Sequence, residues 1–247
     1  MRYCYHLMRW TVFCSLFFFL NSCKFEKENN IPRTSHLFKY SNKKLYFFGD
    51  SYTAASGASS VDLGYSTLLA KMLNADEKNF GIGGSTLEKR IPINYQGTVN
   101  MVDRLNTVPQ KDTTMSMAII ALGLNDIGQN GTDYTPQNYI TDYHTVVNSF
   151  FAKGWKKSDL LLISPFYIGK AGYKTYAKIS GNPAPTRSRH LEFITATKQV
   201  ADFYEIKFLD IFQDQIKNDT TLFADGIHPN DTGYAFIAND IYRFLDK

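Results

Sequence analysis

The chain has 247 residues, of which 44% are hydrophobic and 20% are charged, and these proportions are typical of a globular protein and not of a disordered one. The 27 lysines and arginines exceed the 23 aspartates and glutamates by only +4. So small and scattered an excess is unlike the basic surface of a nucleic-acid-binding protein, and we expect no nucleic-acid partner.

The first 22 residues have the pattern of a secretory signal peptide. Arg2 and Arg9 make the start of this segment positive, and the residues from Thr11 to Leu20 are then mostly apolar. That apolar stretch falls well short of the roughly 20 residues that a membrane-spanning helix needs. The pattern therefore predicts export and not a transmembrane anchor.

The end of the predicted signal, Leu20-Asn21-Ser22-Cys23, resembles the lipobox of bacterial lipoproteins, in which the cysteine becomes the lipidated first residue of the mature chain. Ordinary signal-peptidase cleavage is the alternative, although Leu20 is bulky for it. The resemblance implies that lipid on Cys23 anchors the exported protein to a bacterial membrane, on the periplasmic or the cell-surface side. No cysteine follows Cys23, so we expect no disulfides, no cysteine nucleophile and no cysteine-based zinc site.

Residues 24–42 are polar and lack a sustained periodicity, which is typical of a tether. We therefore divide the chain into a signal peptide (1–22), the lipidated cysteine with its tether (23–42) and one folded domain (43–247).

Within this domain, short apolar runs alternate with stretches of helical periodicity. The apolar runs predict strands at 45–48, 117–122, 160–163 and 206–211, and residues 77–80 are expected to form a short second strand between the first two of them. The periodic stretches predict helices near 65–73, 136–151, 190–204 and 234–245. Strands that are apolar along their length and separated by helices indicate a parallel sheet that is covered on both faces. The predicted fold is therefore α/β, a three-layer α/β/α arrangement with a central five-stranded parallel sheet.

Four polar segments lie where functional groups gather in such sheets, beyond the carboxyl ends of the strands. These segments are 49–52, 79–86, 123–126 and 225–230. Although they are far apart in the sequence, the topology predicts that they converge on one edge of the sheet.

The residue types in these segments fit acyl transfer. Ser51 needs a neighbouring base to become a nucleophile, and His228 is the histidine in a position to act as one. Asp225 can reach His228 from the same turn and orient its imidazole. The backbone N–H groups of Ser51 and Gly84 and the carboxamide of Asn125 could bind the oxyanion that develops during the reaction.

The same residues resemble, in order and spacing, the four sequence blocks of the SGNH (GDSL-type) hydrolase family. The blocks are Gly49-Asp50-Ser51-Tyr52, Gly84, Gly123-Leu124-Asn125-Asp126 and Asp225-Gly226-Ile227-His228. The resemblance covers essentially the whole of residues 43–247, with Leu124 standing where threonine is common. It implies a flavodoxin-like sheet, a Ser51-His228-Asp225 triad, an oxyanion hole at Ser51, Gly84 and Asn125, and ester hydrolysis with no metal or other cofactor.

Each segment also has a simpler interpretation. Gly-Asp-Ser after a strand can be a turn, Asn125 and Asp126 can end a strand, and Asn230 can cap the last helix. The glycines at 81–84 resemble a dinucleotide loop, but Thr86 breaks that pattern. Two further histidines, His144 and His190, are expected to be solvated.

The substrate is less constrained than the reaction. Residues 167–189 are the longest predicted loop, and its tyrosines could stack on sugar rings or simply pack the loop. The domain leaves no residues for a large lid, so we expect a short-chain acyl ester, most of all an acetylated glycan. The alternatives are a lysophospholipase-like or other lipid esterase, an O-acyltransferase and a non-catalytic glycan-binding lipoprotein.

Overall fold

A computed structural model describes residues 35–89, 100–128, 134–180, 186–216 and 221–247. The predicted signal peptide, Cys23 and most of the predicted tether lie outside these residues. Within the described part of the chain, every helix is too short or too polar to cross a membrane.

The centre of the fold is a sheet of five parallel strands in the order β2-β1-β3-β4-β5. The strands are β1 (Lys44–Gly49), β2 (Asp76–Gly81), β3 (Met115–Ala121), β4 (Leu160–Ile163) and β5 (Lys207–Leu209). This is the strand order of flavodoxin-like doubly wound sheets. The predicted fold class is therefore confirmed.

Helices cover both faces of the sheet. They are α1 (Tyr65–Leu73), α2 (Leu124–Gly128), α3 (Pro136–Ala152), α4 (Gly172–Ser180), α5 (Arg187–Tyr204), α6 (Phe212–Ile216) and α7 (Asp231–Leu245). Helices α1 and α7 pack together on one face, and α3 and α5 pack together on the other. Short 3₁₀ helices occur at Ser35–Tyr40, Val61–Leu63, Val102–Thr107 and Lys157–Asp159.

The apolar strands are buried on both faces because each face meets a helical layer. In β1, Leu45 and Phe47 belong to the core beneath α1 and α7, whereas Tyr46 and Phe48 belong to the core beneath α3 and α5. Burying a side chain of this size contributes about 1.5–3 kcal/mol. Alternate residues of one strand therefore hold two helical layers in place.

Two helix starts position the loops beyond the strands. Thr135 caps α3 by accepting a hydrogen bond from the N–H of Asn138, with Pro136 as the first helical residue. Asn230 caps α7 in the same way, accepting from the N–H of Gly233. The cap fixes where α7 begins, and His228 lies just before it.

The structure corrects three boundaries. The folded part begins before residue 43, because Ser35–Tyr40 forms a 3₁₀ helix and Tyr40 is buried in the core. Strand β5 is shorter than the predicted 206–211, because the N–H of Ile211 bonds to the Ser164 hydroxyl in place of a strand carbonyl. The predicted loop at 167–189 is wrong, since α4 and the start of α5 lie within it.

Candidate active site

The four predicted segments meet at the carboxyl edge of the sheet. Asp50 and Ser51 directly follow β1, and the loop with Gly84 follows β2. Asn125 lies on the short helix α2 just after β3, and the segment with Asp225 and His228 precedes α7. Hydrogen bonds between these segments join them into one site.

Ser51, His228 and Asp225 form a chain of hydrogen bonds. The Oγ of Ser51 lies 3.1 Å from Nε2 of His228, and Nδ1 of His228 lies 2.8 Å from Oδ2 of Asp225. An ionised carboxylate can only accept, so Nδ1 carries the proton and Nε2 of the neutral ring accepts from the serine hydroxyl. In this arrangement the imidazole can take a proton from Ser51.

The turn at 225–228 is built around the carboxylate of Asp225. Its Oδ1 accepts the N–H groups of Ile227 at 2.8 Å and His228 at 2.7 Å, while Gly226 has a φ of +86° that favours glycine. Burial raises the pKa of Asp225, but the bonds from His228 and Ile227 outweigh burial and lower it overall. The carboxylate therefore stays ionised at neutral pH and holds the imidazole.

Tyr52 connects the Ser51 turn to the His228 turn. Its hydroxyl lies 2.6 Å from the carbonyl oxygen of Ile227 and 2.8 Å from that of Tyr167. The ring is fully buried and stacks on Phe166 with a centroid distance of 4.6 Å. The residue after Ser51 thus holds the backbone of the residue before His228.

The side chain of Asn125 holds the loop that follows β2. Its Nδ2 donates to the carbonyl oxygen of Ser85 at 2.9 Å, and its Oδ1 accepts from the hydroxyl of Tyr176 at 2.8 Å. Gly84, the residue before Ser85, has a φ of +74°, which a side chain would strain. Asn125 and Gly84 therefore lie on adjoining segments, as the sequence predicts.

The carboxylate of Asp126 binds the backbone of the same loop. It is buried and accepts the N–H of Leu87 at 3.0 Å and the N–H of Glu88 at 2.9 Å. Burial raises the pKa of Asp126, while these two backbone bonds oppose the increase. This role was not predicted, although a carboxylate beside Asn125 in the same block is the signal that could have indicated it.

Arg104 joins the ends of β1 and β2. Its guanidinium donates to the carbonyl oxygens of Phe80 at 2.8 Å and Gly49 at 3.2 Å, and to the hydroxyl of Ser85 at 3.2 Å. Burial lowers the pKa of Arg104 to about 10, and the neighbouring Asp50 opposes this. The carboxyl of Asp50 is itself buried, and this burial raises its pKa to about 7. Sequence reasoning missed Arg104, which lies in a 3₁₀ segment without a motif.

The prediction that His144 and His190 are solvated is wrong for His190. This imidazole is fully buried, with Nε2 3.2 Å from the carbonyl oxygen of Pro165 and Nδ1 3.0 Å from the hydroxyl of Tyr173. A carbonyl only accepts, so Nε2 carries the proton, and burial lowers the pKa of His190 to about 4. His144 is half-buried, 3.0 Å from the Tyr204 hydroxyl. Neither of these contacts involves Ser51 or His228.

The tyrosines of the predicted loop are held by the protein. Tyr167 is buried, Tyr173 contacts His190, and Tyr176 contacts Asn125. These contacts favour the interpretation that the tyrosines pack this segment against the domain.

Across the described residues, no three histidine, cysteine, aspartate or glutamate side chains are grouped to hold a metal ion.

A serine hydroxyl bonded to an imidazole that a carboxylate orients, at the carboxyl edge of a parallel sheet, is the arrangement of a serine hydrolase. A sequence model of the GDSL-like lipase/acylhydrolase family matches residues 47–236. The chain therefore belongs to this family, that of the SGNH hydrolases, and is an ester-hydrolysing enzyme.

Several solved structures have a similar fold. Est24, a carbohydrate acetylesterase from Sinorhizobium meliloti, is 16% identical with a TM-score of 0.64, over 82% of this chain and 98% of its own. A lipase/acylhydrolase from Enterococcus faecalis is 21% identical with a TM-score of 0.59, over 83% and 95%. The esterase EstA from Pseudoalteromonas sp. is 17% identical with a TM-score of 0.58, over 83% and 100%. No curated protein matches the chain.

Proposed function

We propose that the protein is a serine esterase that removes short acyl groups, above all acetyl groups, from a carbohydrate. The observation that carries this proposal is the hydrogen-bonded chain from Ser51 through His228 to Asp225. A hydroxyl that is ready to lose its proton to a fixed base is what nucleophilic attack on an ester requires.

In the first half of the reaction, the Oγ of Ser51 attacks the ester carbonyl carbon and its proton passes to Nε2 of His228. Asp225 stabilises the imidazolium that forms. The negative charge on the former carbonyl oxygen is bound by the N–H groups of Ser51 and Gly84 and by the carboxamide of Asn125. The intermediate then breaks its C–O bond to the alcohol, which leaves with the proton from His228.

In the second half, water attacks the acyl group on Ser51. His228 takes a proton from that water as the new C–O bond forms, and the same three donors bind the second oxyanion. The C–O bond to Ser51 then breaks and the hydroxyl recovers its proton from His228. The carboxylic acid is released and the enzyme returns to its starting state.

Two observations support a small acyl group on a sugar. Helix α4 lies close to the proposed site at two points, because Tyr176 contacts Asn125 and a side chain at Gly172 would overlap the carbonyl oxygen of Gly226. This packing limits the room for a long acyl chain on that side. In addition, two solved structures of similar fold are of Est24, a carbohydrate acetylesterase from Sinorhizobium meliloti, and of a carbohydrate acetylesterase family member from the same organism.

The test is a panel of p-nitrophenyl acetate, butyrate and dodecanoate, with p-nitrophenol release as the readout, alongside acetylated xylan, pectin and peptidoglycan, with acetate release as the readout. We expect the acetate and butyrate esters to react faster than the dodecanoate. Ser51→Ala should lose activity on every substrate, because it removes the covalent route. Ser116→Ala is the matched control, since Ser116 lies at the start of β3, at the other end of the sheet.

Faster turnover of the dodecanoate would contradict the short-chain proposal and favour a lipid esterase. Full activity in Ser51→Ala would contradict the nucleophile assignment. The panel is repeated with an acceptor sugar, and acyl transfer to that sugar in place of acetate release would favour an O-acyltransferase.

The proposal includes the location of the enzyme, which is exported and anchored by lipid on Cys23. The signal pattern of residues 1–22 and the sequence Leu20-Asn21-Ser22-Cys23 support it. Two or more acyl chains hold a protein stably, because each buried CH₂ contributes about 0.8 kcal/mol. Cys23→Ala should leave a soluble or uncleaved precursor. Mass spectrometry that finds an unmodified Cys23, or cleavage elsewhere, would contradict the anchor.

A further inference from the structure

The carboxamide of Asn125 is bound at both of its ends. Tyr176, on α4, donates its hydroxyl to Oδ1 at 2.8 Å, and Nδ2 donates to the carbonyl oxygen of Ser85 at 2.9 Å. The oxygen of the amide thus faces a donor and the nitrogen faces an acceptor. The two contacts select the same orientation of the amide plane.

This orientation determines what the amide offers to a reacting ester. The NH₂ group has two N–H bonds, and the carbonyl oxygen of Ser85 accepts one of them. The second is the one that can bind an oxyanion. If the carboxamide of Asn125 were flipped, so that Oδ1 and Nδ2 exchanged places, Oδ1 would face the carbonyl oxygen of Ser85. The oxyanion of the reacting ester would then meet an acceptor in place of a donor.

The hydroxyl of Tyr176 also acts on the strength of that second N–H. A hydrogen bond to the amide oxygen draws electron density away from the nitrogen and polarises its N–H bonds, as occurs in hydrogen-bonded chains. Tyr176 therefore acts on the N–H of Asn125 without touching the oxyanion.

Gly128 provides the space that lets Tyr176 reach Asn125. It is the last residue of α2, the short helix on which Asn125 lies. A methyl group at Gly128 would overlap Cε1 of the Tyr176 ring and lie 2.6 Å from its hydroxyl oxygen. The ring therefore rests directly on the backbone of the helix that presents Asn125.

We propose that Tyr176 is a positioning residue for ester hydrolysis: its hydroxyl orients and polarises the carboxamide of Asn125 so that the second N–H of that amide binds the oxyanion. Glycine at position 128 is needed because it leaves the space that the ring of Tyr176 occupies. The inference rests on the proposed function, specifically on the oxyanion role of Asn125. It gives this tyrosine a part in catalysis that is neither sugar stacking nor simple packing.

The experiment is steady-state kinetics on p-nitrophenyl acetate with Tyr176→Phe, Asn125→Ala and the double variant. Asn125→Ala should lower kcat by about 10²–10³-fold with little change in KM. Tyr176→Phe should lower kcat by about 5–50-fold, also with KM unchanged, because it weakens that donor without removing it. In the Asn125→Ala background, Tyr176→Phe should have no further effect.

Two more variants test the route of the effect. Gly128→Ala keeps the hydroxyl but displaces it, and should lower kcat to a similar extent as Tyr176→Phe. Tyr173→Phe is the matched control on the same helix, because its hydroxyl contacts His190 and not Asn125, and its kcat should stay unchanged. Thermal unfolding of each variant establishes that a lower kcat does not come from unfolded protein.

Three results would overturn the inference. They are an unchanged kcat in Tyr176→Phe, a change confined to KM, and an equal loss of kcat with and without Asn125. A failure of the proposed function is distinguishable from these. It would show as activity in Ser51→Ala, or as an unchanged kcat in Asn125→Ala, and neither of these variants alters Tyr176.

Discussion

Replacing His190 by glutamine should remove one pH-dependent contribution to the stability of the fold. The imidazole of His190 is fully buried between the carbonyl oxygen of Pro165 and the hydroxyl of Tyr173. Glutamine offers an N–H to the first group and an oxygen to the second, and its side chain does not titrate. The substitution therefore keeps the hydrogen-bonding types and removes the ionisable group.

The size and the sign of the effect follow from the pKa of His190, which burial lowers from 6.5 to about 4 in the folded protein. Between these two values the unfolded chain binds a proton that the folded chain does not, so stability falls as the pH falls. Each pH unit in this range costs up to about 1.4 kcal/mol. The loss at pH 4, relative to neutral pH, is therefore about 3 kcal/mol.

The assay is urea unfolding of the wild type and His190→Gln at pH 7, 6, 5 and 4. The quantity to compare is the difference between their free energies of unfolding. Burial raises the pKa values of Asp50 and Asp126, so these carboxyls favour folding as the pH falls, but both proteins contain them and they cancel. We expect the wild type to lose about 3 kcal/mol relative to the variant between pH 7 and pH 4.

His144→Gln is the control, because it removes a half-buried histidine and keeps His190. It should keep the loss of stability at low pH that His190 causes in the wild type. A difference between wild type and His190→Gln that stays constant from pH 7 to pH 4 would refute the reasoning. It would show that His190 does not remain neutral when the folded protein is acidified.

Three further predictions concern the residues around the site. Arg104→Met removes three hydrogen bonds, so urea unfolding should show that the free energy of unfolding falls by about 3–5 kcal/mol. A decrease of less than about 1 kcal/mol would contradict the role of Arg104 in joining the ends of β1 and β2. Gly49→Ala should lower stability by about 1–3 kcal/mol, because the added methyl overlaps Oγ1 of Thr53 and lies 2.9 Å from the carbonyl oxygen of Ala121. An unchanged melting temperature would contradict this prediction, because it would mean that Thr53 and the backbone at Ala121 move aside without cost. Asp225→Asn should lower kcat by about 10²–10⁴-fold with little change in KM, and a change in KM alone would contradict its orienting role.

Three strands of the sheet, β1, β3 and β4, were predictable because they carry a strong apolar signal. The run at 160–163 matches β4 residue for residue, and β1 extends the run at 45–48 by one residue at each end. Strand β3 begins two residues before the start of the predicted 117–122 and ends one residue before its end. Such runs are buried on both faces, so local composition alone reveals them. Helix α4 is short and on average much less hydrophobic than α1 or α3, so its sequence is similar to that of a polar, tyrosine-rich loop. The sequence therefore left two interpretations open for Tyr173 and Tyr176, sugar stacking and packing, and the contacts of the two side chains favour packing.

The site was predictable in its four segments and not in the residues that hold them. Ser51 and His228 belong to recognisable blocks at predictable positions in the topology. Arg104, by contrast, connects the ends of two strands through backbone carbonyls, which leave no trace in the sequence. The burial of His190 depends on a carbonyl at Pro165, 25 positions away. Contacts of this kind depend on the tertiary structure, so they become visible only in the folded protein.

The hydrogen bond between Ser51 and His228 joins residues that are 177 positions apart, near the two ends of the folded part of the chain. Tyr52 connects the same two regions, and α1 packs against α7 beside them. Closing so long a loop carries an entropic cost that is offset only when the intervening strands are in place. We therefore expect the reactive pair to be assembled among the last contacts of folding. A chain still emerging from the ribosome would carry its serine without the base that activates it.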